Sequence, residues 1–271
     1  MDTANAPRFE AMSTGMLLDR AFRLYTSNFS LMLGIAAAAY VPFYLIMLVL
    51  EAGLSGRLTG GLSMLIFYVV FMVLWASVAF PVASGAATFA ISERYLGNEV
   101  GIGDALLRGL SHFWTLSLAQ ITATIRVMFG FILLIIPGIL WMLSYSLVVP
   151  AILVEGQKAM PGLRRSRDLV KGYRGKVFLV MVVINLLQAV LAGGVGVISS
   201  FLLTADAAGT AVLSSAVGNL LSILLTPLGI IAAILLYYDM RIRKEGFDLE
   251  MLSLAVSSKV PGAATQAILS R

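Results

Sequence analysis

Residues Phe113 to Val154 read FWTLSLAQITATIRVMFGFILLIIPGILWMLSYSLVVPAILV, with a single charged side chain, Arg126, and a single Pro-Gly pair at Pro137-Gly138. A helix crosses a hydrocarbon layer of ~30 Å with about 20 apolar residues, so this stretch is far too long for one crossing. Proline withholds a helical N–H and glycine tolerates left-handed geometry, so a tight hairpin is expected at Ile136-Pro137-Gly138. The alternative is one long kinked helix, which would reverse the sidedness of everything downstream.

The rest of the chain has the same character. Of 271 residues, 59% are hydrophobic and 12% charged, roughly half the charged share of a soluble domain, and the mean hydropathy is +0.94. Apolar runs near 30–50, 63–92, 113–135, 138–155, 177–203 and 211–238 predict an all-α, polytopic transmembrane bundle of about six spans. Short amphipathic helices at the membrane interface complete it. The expected organisation is a cytoplasmic N-terminal segment with an interfacial helix (1–28), the bundle (29–240) and a cytoplasmic tail (241–271). The first apolar run is too long and wrongly flanked for a cleaved signal peptide, so it is expected to stay as a span.

Lysine and arginine positions give the orientation. With a hairpin at Pro137, one side receives Arg8, Arg20, Arg23, Arg94, Arg108, the dense set from Lys158 to Lys176, and Arg241, Arg243 and Lys244. The other side receives Arg57 alone. By the positive-inside rule both termini are cytoplasmic, and the same count supports the hairpin over the kinked helix. The net charge of +5 is read as topology signal and lipid contact, and nucleic acid is not expected as a partner.

Each cytoplasmic return contains a short basic amphipathic stretch leading into a span. Asp19 precedes Phe29, Asp104 precedes Trp114 and Asp168 precedes Phe178 by the same offset, which suggests three units of interfacial helix plus hairpin. Convergent need for an amphipathic segment ending on an interfacial aromatic explains the pattern equally. In Ser13 to Asn28, residues Leu17, Ala21, Leu24 and Tyr25 share a face, as in a helix lying at the headgroups. In Ala159 to Gly172, Pro161 sits near a first turn, and Leu163, Leu169 and Val170 separate from the basic residues. Lys158, Arg164, Arg165, Arg167, Lys171, Arg174 and Lys176 are therefore the candidate contacts for anionic lipid headgroups or for a membrane or cytoplasmic protein partner.

Inside the spans Arg126 is the anomaly. An intramembrane arginine is costly unless it meets a polar group, so a site formed with Asn185, Gln188 and Asn219 is one expectation. Carbonyls near Pro137, a lipid phosphate drawn in from the outer leaflet, or snorkelling to the outer interface are the others. Ala79, Ala83 and Ala87, and Gly193, Gly194 and Gly196, are expected to let helices approach closely. Pro81, Pro150 and Pro227 are expected to kink their spans.

Catalytic signals are lacking. The chain has no cysteine and one histidine, His112, without neighbours at metal-ligand spacing. No glycine-rich phosphate loop follows a strand. Asp168 and Asp239 lie beside arginines, which favours ion pairing over a raised carboxyl pKa. The reading is non-enzymatic, with no cofactor.

At the C-terminal end stands Leu235-Leu236-Tyr237-Tyr238-Asp239-Met240-Arg241-Ile242-Arg243-Lys244-Glu245-Gly246-Phe247-Asp248-Leu249-Glu250. This resembles the end of the membrane domain associated with glycerophosphoryl diester phosphodiesterases, a bacterial and archaeal family. Leu18 to Tyr25, Ile135 to Ile139, and Leu163 to Ser166 with Gly172 agree with the resemblance, which extends from about residue 13 to 250. Relatives that hydrolyse carry a separate barrel with several histidines and metal-binding carboxylates, for which this chain lacks the residues, so the resemblance implies a scaffold rather than an activity. Physically, Tyr237 and Tyr238 fit an interfacial aromatic belt, Arg241, Arg243 and Lys244 hold the cytoplasmic side, and Gly246 ends the helix. The resulting expectation is a module of a bacterial cytoplasmic membrane that binds anionic lipid or a protein through its basic face. Two other expectations stand beside it: a lipid or small-solute transporter built on Arg126, and a membrane subunit whose phosphodiesterase partner is a separate chain.

Overall fold

In the computed structural model, residues 11–54, 61–95, 97–202 and 207–246 are described. Among them every regular element is helical, and the protein is an all-α bundle of membrane-span type. It is a multi-pass membrane protein: five helices are long and apolar enough to cross a bilayer, joined by the shorter apolar stretch Gly61–Phe71.

The elements are α1 (Thr14–Ser27), α2 (Phe29–Leu54), α3 (Gly61–Leu74), α4 (Phe80–Tyr95), α5 (Ile102–Ser111), α6 (Phe113–Leu133), α7 (Ile135–Ser144), α8 (Val148–Glu155), α9 (Ala159–Val170), α10 (Arg174–Leu202) and α11 (Ala207–Glu245). The amphipathic α1, α5 and α9 each lead directly into a long apolar helix, as the offset pattern suggests. Ser13 caps α1 by accepting a hydrogen bond from the Met16 amide. The apolar face of α1 does not lie on headgroups. Leu17 and Ala21 are fully buried, packed with the body around α11, because a partner of protein density is available to cover them.

The hairpin forms, three residues earlier than expected. Leu134 alone breaks the helix, in an extended conformation, and Pro137 falls in the first turn of α7. A proline there sacrifices no hydrogen bond, since first-turn amides have no partner inside the helix. The return is tight because Gly130 faces Gly138: a Cβ on Gly130 would lie 2.9 Å from the Gly138 Cα.

The axis of the bundle is the last helix. Of the window Ile223–Glu245, 72% is buried, against 22% for α6 and 17% for Arg174–Leu191. Helix α11 packs against α10, α1, α4 and α2, while the outer helices present Leu, Ile, Val and Phe outward, as lipid contact requires. Ala79, Ala83 and Ala87 are buried against α2 and α11, in keeping with a close-approach stripe. Gly193 and Gly194 are not: nothing lies within 4 Å of a Cβ built on either, because that part of α10 faces outward. Gly196 lies outside the described side chains.

The prolines explain several polar side chains. Pro81 cannot donate to the Ser77 carbonyl, the helix opens into a π-turn over Trp75–Ala79, and the Ser117 hydroxyl of α6 donates to that carbonyl at 2.9 Å. Around Pro227 the carbonyls of Leu224 and Leu225 accept from Tyr25 Oη (2.6 Å) and Gln188 Nε2 (2.9 Å). In lipid the carbonyl that Pro81 releases has no water to turn to, so Ser117 completes the backbone there, while Tyr25 and Gln188 satisfy their own polar atoms on α11.

Candidate functional site

Helix α9 lies across one end of the bundle and is fixed there by its own sequence. Gly162 is pressed against Ile152, where a Cβ would meet Cγ1 at 2.5 Å. The buried Ser166 hydroxyl donates to the Ser144 carbonyl (2.8 Å) and accepts from the Leu147 amide (3.1 Å), tying α9 to the break between α7 and α8. Leu163, Leu169 and Val170 complete the buried face, as the amphipathic pattern predicts.

Beneath the helix is a layer of ion pairs. Arg165 Nε donates to both oxygens of Glu155 at 2.8 Å, and its Nη1 pairs with Glu245 at 2.5 Å. The hydrogen bond to Glu245 is the main reason that the guanidinium pKa rises further above its ordinary value, against the pull of desolvation. Glu155 also accepts from Tyr237 Oη at 2.8 Å, and Arg241 pairs with Glu245 at 3.2 Å. Lys244 donates to the carbonyls of Asp168 and Lys171, placing a cation at the C-terminal end of α9.

A second network centres on Asp239, which is completely buried. Its Oδ1 accepts from the Met12 amide at 2.7 Å, and its Oδ2 accepts from Lys176 at 2.5 Å and from Arg243 Nε at 3.0 Å. Lys176 and Arg243 also donate to the Met12 carbonyl. Asp239 is thus ion-paired, as its arginine neighbours suggest, and it joins the N-terminal segment, the start of α10 and the end of α11.

The basic set from Lys158 to Lys176 therefore divides in two. Arg165 and Lys176 are not headgroup contacts; Lys176 faces the buried Asp239, and Arg165 faces the partly buried Glu155 and Glu245. Lys158, Arg164, Arg167 and Lys171 point outward, and among the described residues their one ion pair is a 4.0 Å approach of Arg167 to the exposed Asp168. Arg164, Arg167 and Lys171 recur at helical spacing, so they form one stripe. Arg174 is half-buried at the start of α10.

The aromatic-belt reading of Tyr237 and Tyr238 is corrected. Both are buried, Tyr237 on Glu155 and Tyr238 stacked on Tyr95 at 5.4 Å, because α11 is the central helix and has no lipid face at this level. Arg20 lies over Tyr95, and Arg243 and Lys244 lie over Tyr173, so basic side chains of α1 and α11 gather with α9 at one end of the bundle. Helix α11 runs unbroken to Glu245, since residues 241–245 are held by these pairs, and Gly246 ends it with φ +62°. Phe247 and Asp248 of the C-terminal motif lie outside the described residues.

Among the described side chains the expected intramembrane site is not assembled. Arg126 is exposed on α6, and its Nη1 donates to Tyr145 Oη at 3.3 Å. Asn185 donates to the Met181 carbonyl of its own helix, and Gln188 serves Leu225 on α11. Asn219 lies on α11 with its side chain outside the described residues. Residues that sequence reasoning passed over include Glu155, Ser166 and Met12. Glu155 had a signal: it is the one acid between Asp104 and Asp168, closing an apolar run before a basic helix.

No protein-family model, curated protein or solved structure matches this chain.

Proposed function

We propose that the protein is a non-enzymatic membrane module that holds anionic lipid headgroups on the outward stripe of α9. In this reading it sits in a bacterial cytoplasmic membrane, with both termini and the basic end on the cytoplasmic side. The kinship with phosphodiesterase-associated membrane domains is likewise proposed, as a shared scaffold.

The observation that supports this is the division of charge. Cations needed to hold α9 in place are paired inside, whereas Lys158, Arg164, Arg167 and Lys171 remain outward on a rigidly mounted helix. Each basic residue near an anionic leaflet contributes about 1 kcal/mol, so the three-residue stripe is worth roughly 3 kcal/mol at low ionic strength and less in salt. Positive-inside bias accounts for charge at this end, but it makes no demand that the stripe be presented on a buried, hydrogen-bonded mount.

The test is lipid mass spectrometry on protein extracted in native nanodiscs, compared with bulk membrane and with a variant carrying Arg164→Gln, Arg167→Gln and Lys171→Gln. Enrichment of anionic lipid that is lost in the variant supports the reading. A profile equal to bulk membrane overturns it and turns the search to a protein partner.

A further inference from the structure

Arg126 remains without a role in the basic end or in the backbone repairs around the prolines. It stands thirteen residues into α6, about 20 Å from the Phe113 end, and about 12 Å short of the hairpin tip at Leu134. Its surroundings are apolar and outward-facing: Ile125, Met128 and Phe129 are 58–60% exposed, and Trp141 and Met142 of α7 border the same surface. Among the described residues Tyr145 is its one partner, through the 3.3 Å hydrogen bond and a guanidinium 5.8 Å from the ring centroid. A phenol brings no negative charge, so among the described residues a guanidinium on the lipid-facing surface has no counter-ion.

The geometry points to a phospholipid phosphodiester as that counter-ion, bound by Arg126 and Tyr145 on the outer face of the α6–α7 hairpin. Arg126 Nη1 donates to Tyr145 Oη, which leaves the phenolic proton to donate onward, so guanidinium and hydroxyl can converge on one phosphate group. The tip supports the same assignment. Leu133, Leu134, Ile135 and Ile136 are 59–72% exposed and wholly aliphatic, so the turn belongs in hydrocarbon rather than in water. Both backbone groups of Leu134 itself are paired, its amide with the Gly130 carbonyl and its carbonyl with the Gly138 amide. A tip held inside the far leaflet brings Arg126 deeper than a side chain can escape unaided. The remaining route to a counter-charge is local thinning that draws a headgroup down to it. A carboxylate on another protein is the less favoured occupant, because it would itself have to be desolvated at this depth. The site reads phosphate rather than net lipid charge, which separates it from the α9 stripe.

The test uses the full chain carrying the three glutamine substitutions on α9, so that basic-end lipid is removed from the comparison. Protein is reconstituted in nanodiscs of phosphatidylcholine and phosphatidylglycerol, released in mild detergent and weighed by native mass spectrometry. One retained phospholipid is expected, of either headgroup. Arg126→Leu lowers its apparent affinity by about tenfold or more, Arg126→Lys keeps most of it, and Tyr145→Phe gives an intermediate loss at unchanged helix content. Equal retention in wild type and Arg126→Leu overturns the proposal, as does retention of phosphatidylglycerol with no phosphatidylcholine. Should Arg126→Leu fail to fold, Tyr145→Phe decides: reduced retention supports the site and unchanged retention overturns it. Millimolar inorganic phosphate added to delipidated protein should leave its melting unchanged; stabilisation that depends on Arg126 would assign a soluble anion site instead and overturn the lipid assignment.

Discussion

Replacing Asp239 by asparagine keeps the shape of the side chain and removes its charge. The carboxylate accepts three hydrogen bonds, one on Oδ1 from the Met12 amide and two on Oδ2 from Lys176 and Arg243. An asparagine has one acceptor oxygen, so whichever way the amide turns, its NH2 group meets a donor. Removing one partner of a buried ion pair costs about 3–5 kcal/mol, because the other charge stays behind uncompensated. Lys176 and Arg243 retain side-chain exposures of 14% and 28%, through which water can reach them. This places the expected cost at the lower end, about 3 kcal/mol. The assay is reversible unfolding of Asp239→Asn in mixed micelles titrated with sodium dodecyl sulfate and followed by circular dichroism. Proteolysis of the native state should also become faster near Met12, which loses its anchor at the same time. The double variant Asp239→Leu with Lys176→Met should recover part of the loss, since apolar replacement of a buried pair is often close to neutral. A free energy for Asp239→Asn within about 0.5 kcal/mol of wild type would refute the view that this carboxylate organises the basic end.

Other substitutions probe other contacts. Gly109→Ala should cost about 1–3 kcal/mol in the same unfolding assay, because its Cβ would lie 2.8 Å from the Val82 carbonyl oxygen and 2.9 Å from the Ala86 nitrogen, both backbone atoms of α4. Gly130→Val should split the α6–α7 hairpin, while Pro137→Ala should change stability by less than about 1 kcal/mol, since the amide it restores lies in a first turn; loss of trypsin resistance distinguishes the two. Glu155→Gln should cost about 2 kcal/mol and loosen α9, seen as faster hydrogen exchange over residues 159–170. Lipid enrichment at the α9 stripe should fall with it, although no outward cation has been touched.

The spans were legible because length and hydropathy are set by the bilayer, and the all-α class followed from the same constraint. The hairpin was legible through Pro137-Gly138, although the break itself came at Leu134, since a proline is accommodated one turn after a helix starts as readily as at the turn. Charge at one end could be counted, but not apportioned. Whether an arginine faces water or an acid depends on where Glu155, Asp239 and Glu245 arrive in space, and these come from helices far apart in sequence. Tyr237 and Tyr238 were misread for a related reason. An aromatic pair beside basic residues has the same pattern whether its helix is peripheral or central, and the centrality of α11 is decided by packing partners that no local pattern reveals.

The ends of the membrane hairpins bear on whether the three units reflect duplication or shared need. Helix α4 stops at Tyr95 before Gly97, α8 at Glu155 before Gly156 and α11 at Glu245 before Gly246, and all three glycines have positive φ. Each helix brings a glutamate to this end, at Glu93, Glu155 and Glu245, and their partners overlap only in part. Glu93 accepts from Asn98 in its own loop, Glu155 takes Arg165 and Tyr237, and Glu245 takes Arg165 and Arg241. A left-handed glycine is what any helix needs to turn out of its axis within a residue or two, so its recurrence follows from geometry alone. Chemistry inherited from one ancestral unit would more readily preserve the partner than the turn. Here the turn recurs in all three, whereas Arg165 is shared by Glu155 and Glu245 but not by Glu93, which favours shared physical need over duplication as the origin of the pattern. The joint grip of Glu155 and Glu245 on Arg165 then belongs to α9 specifically.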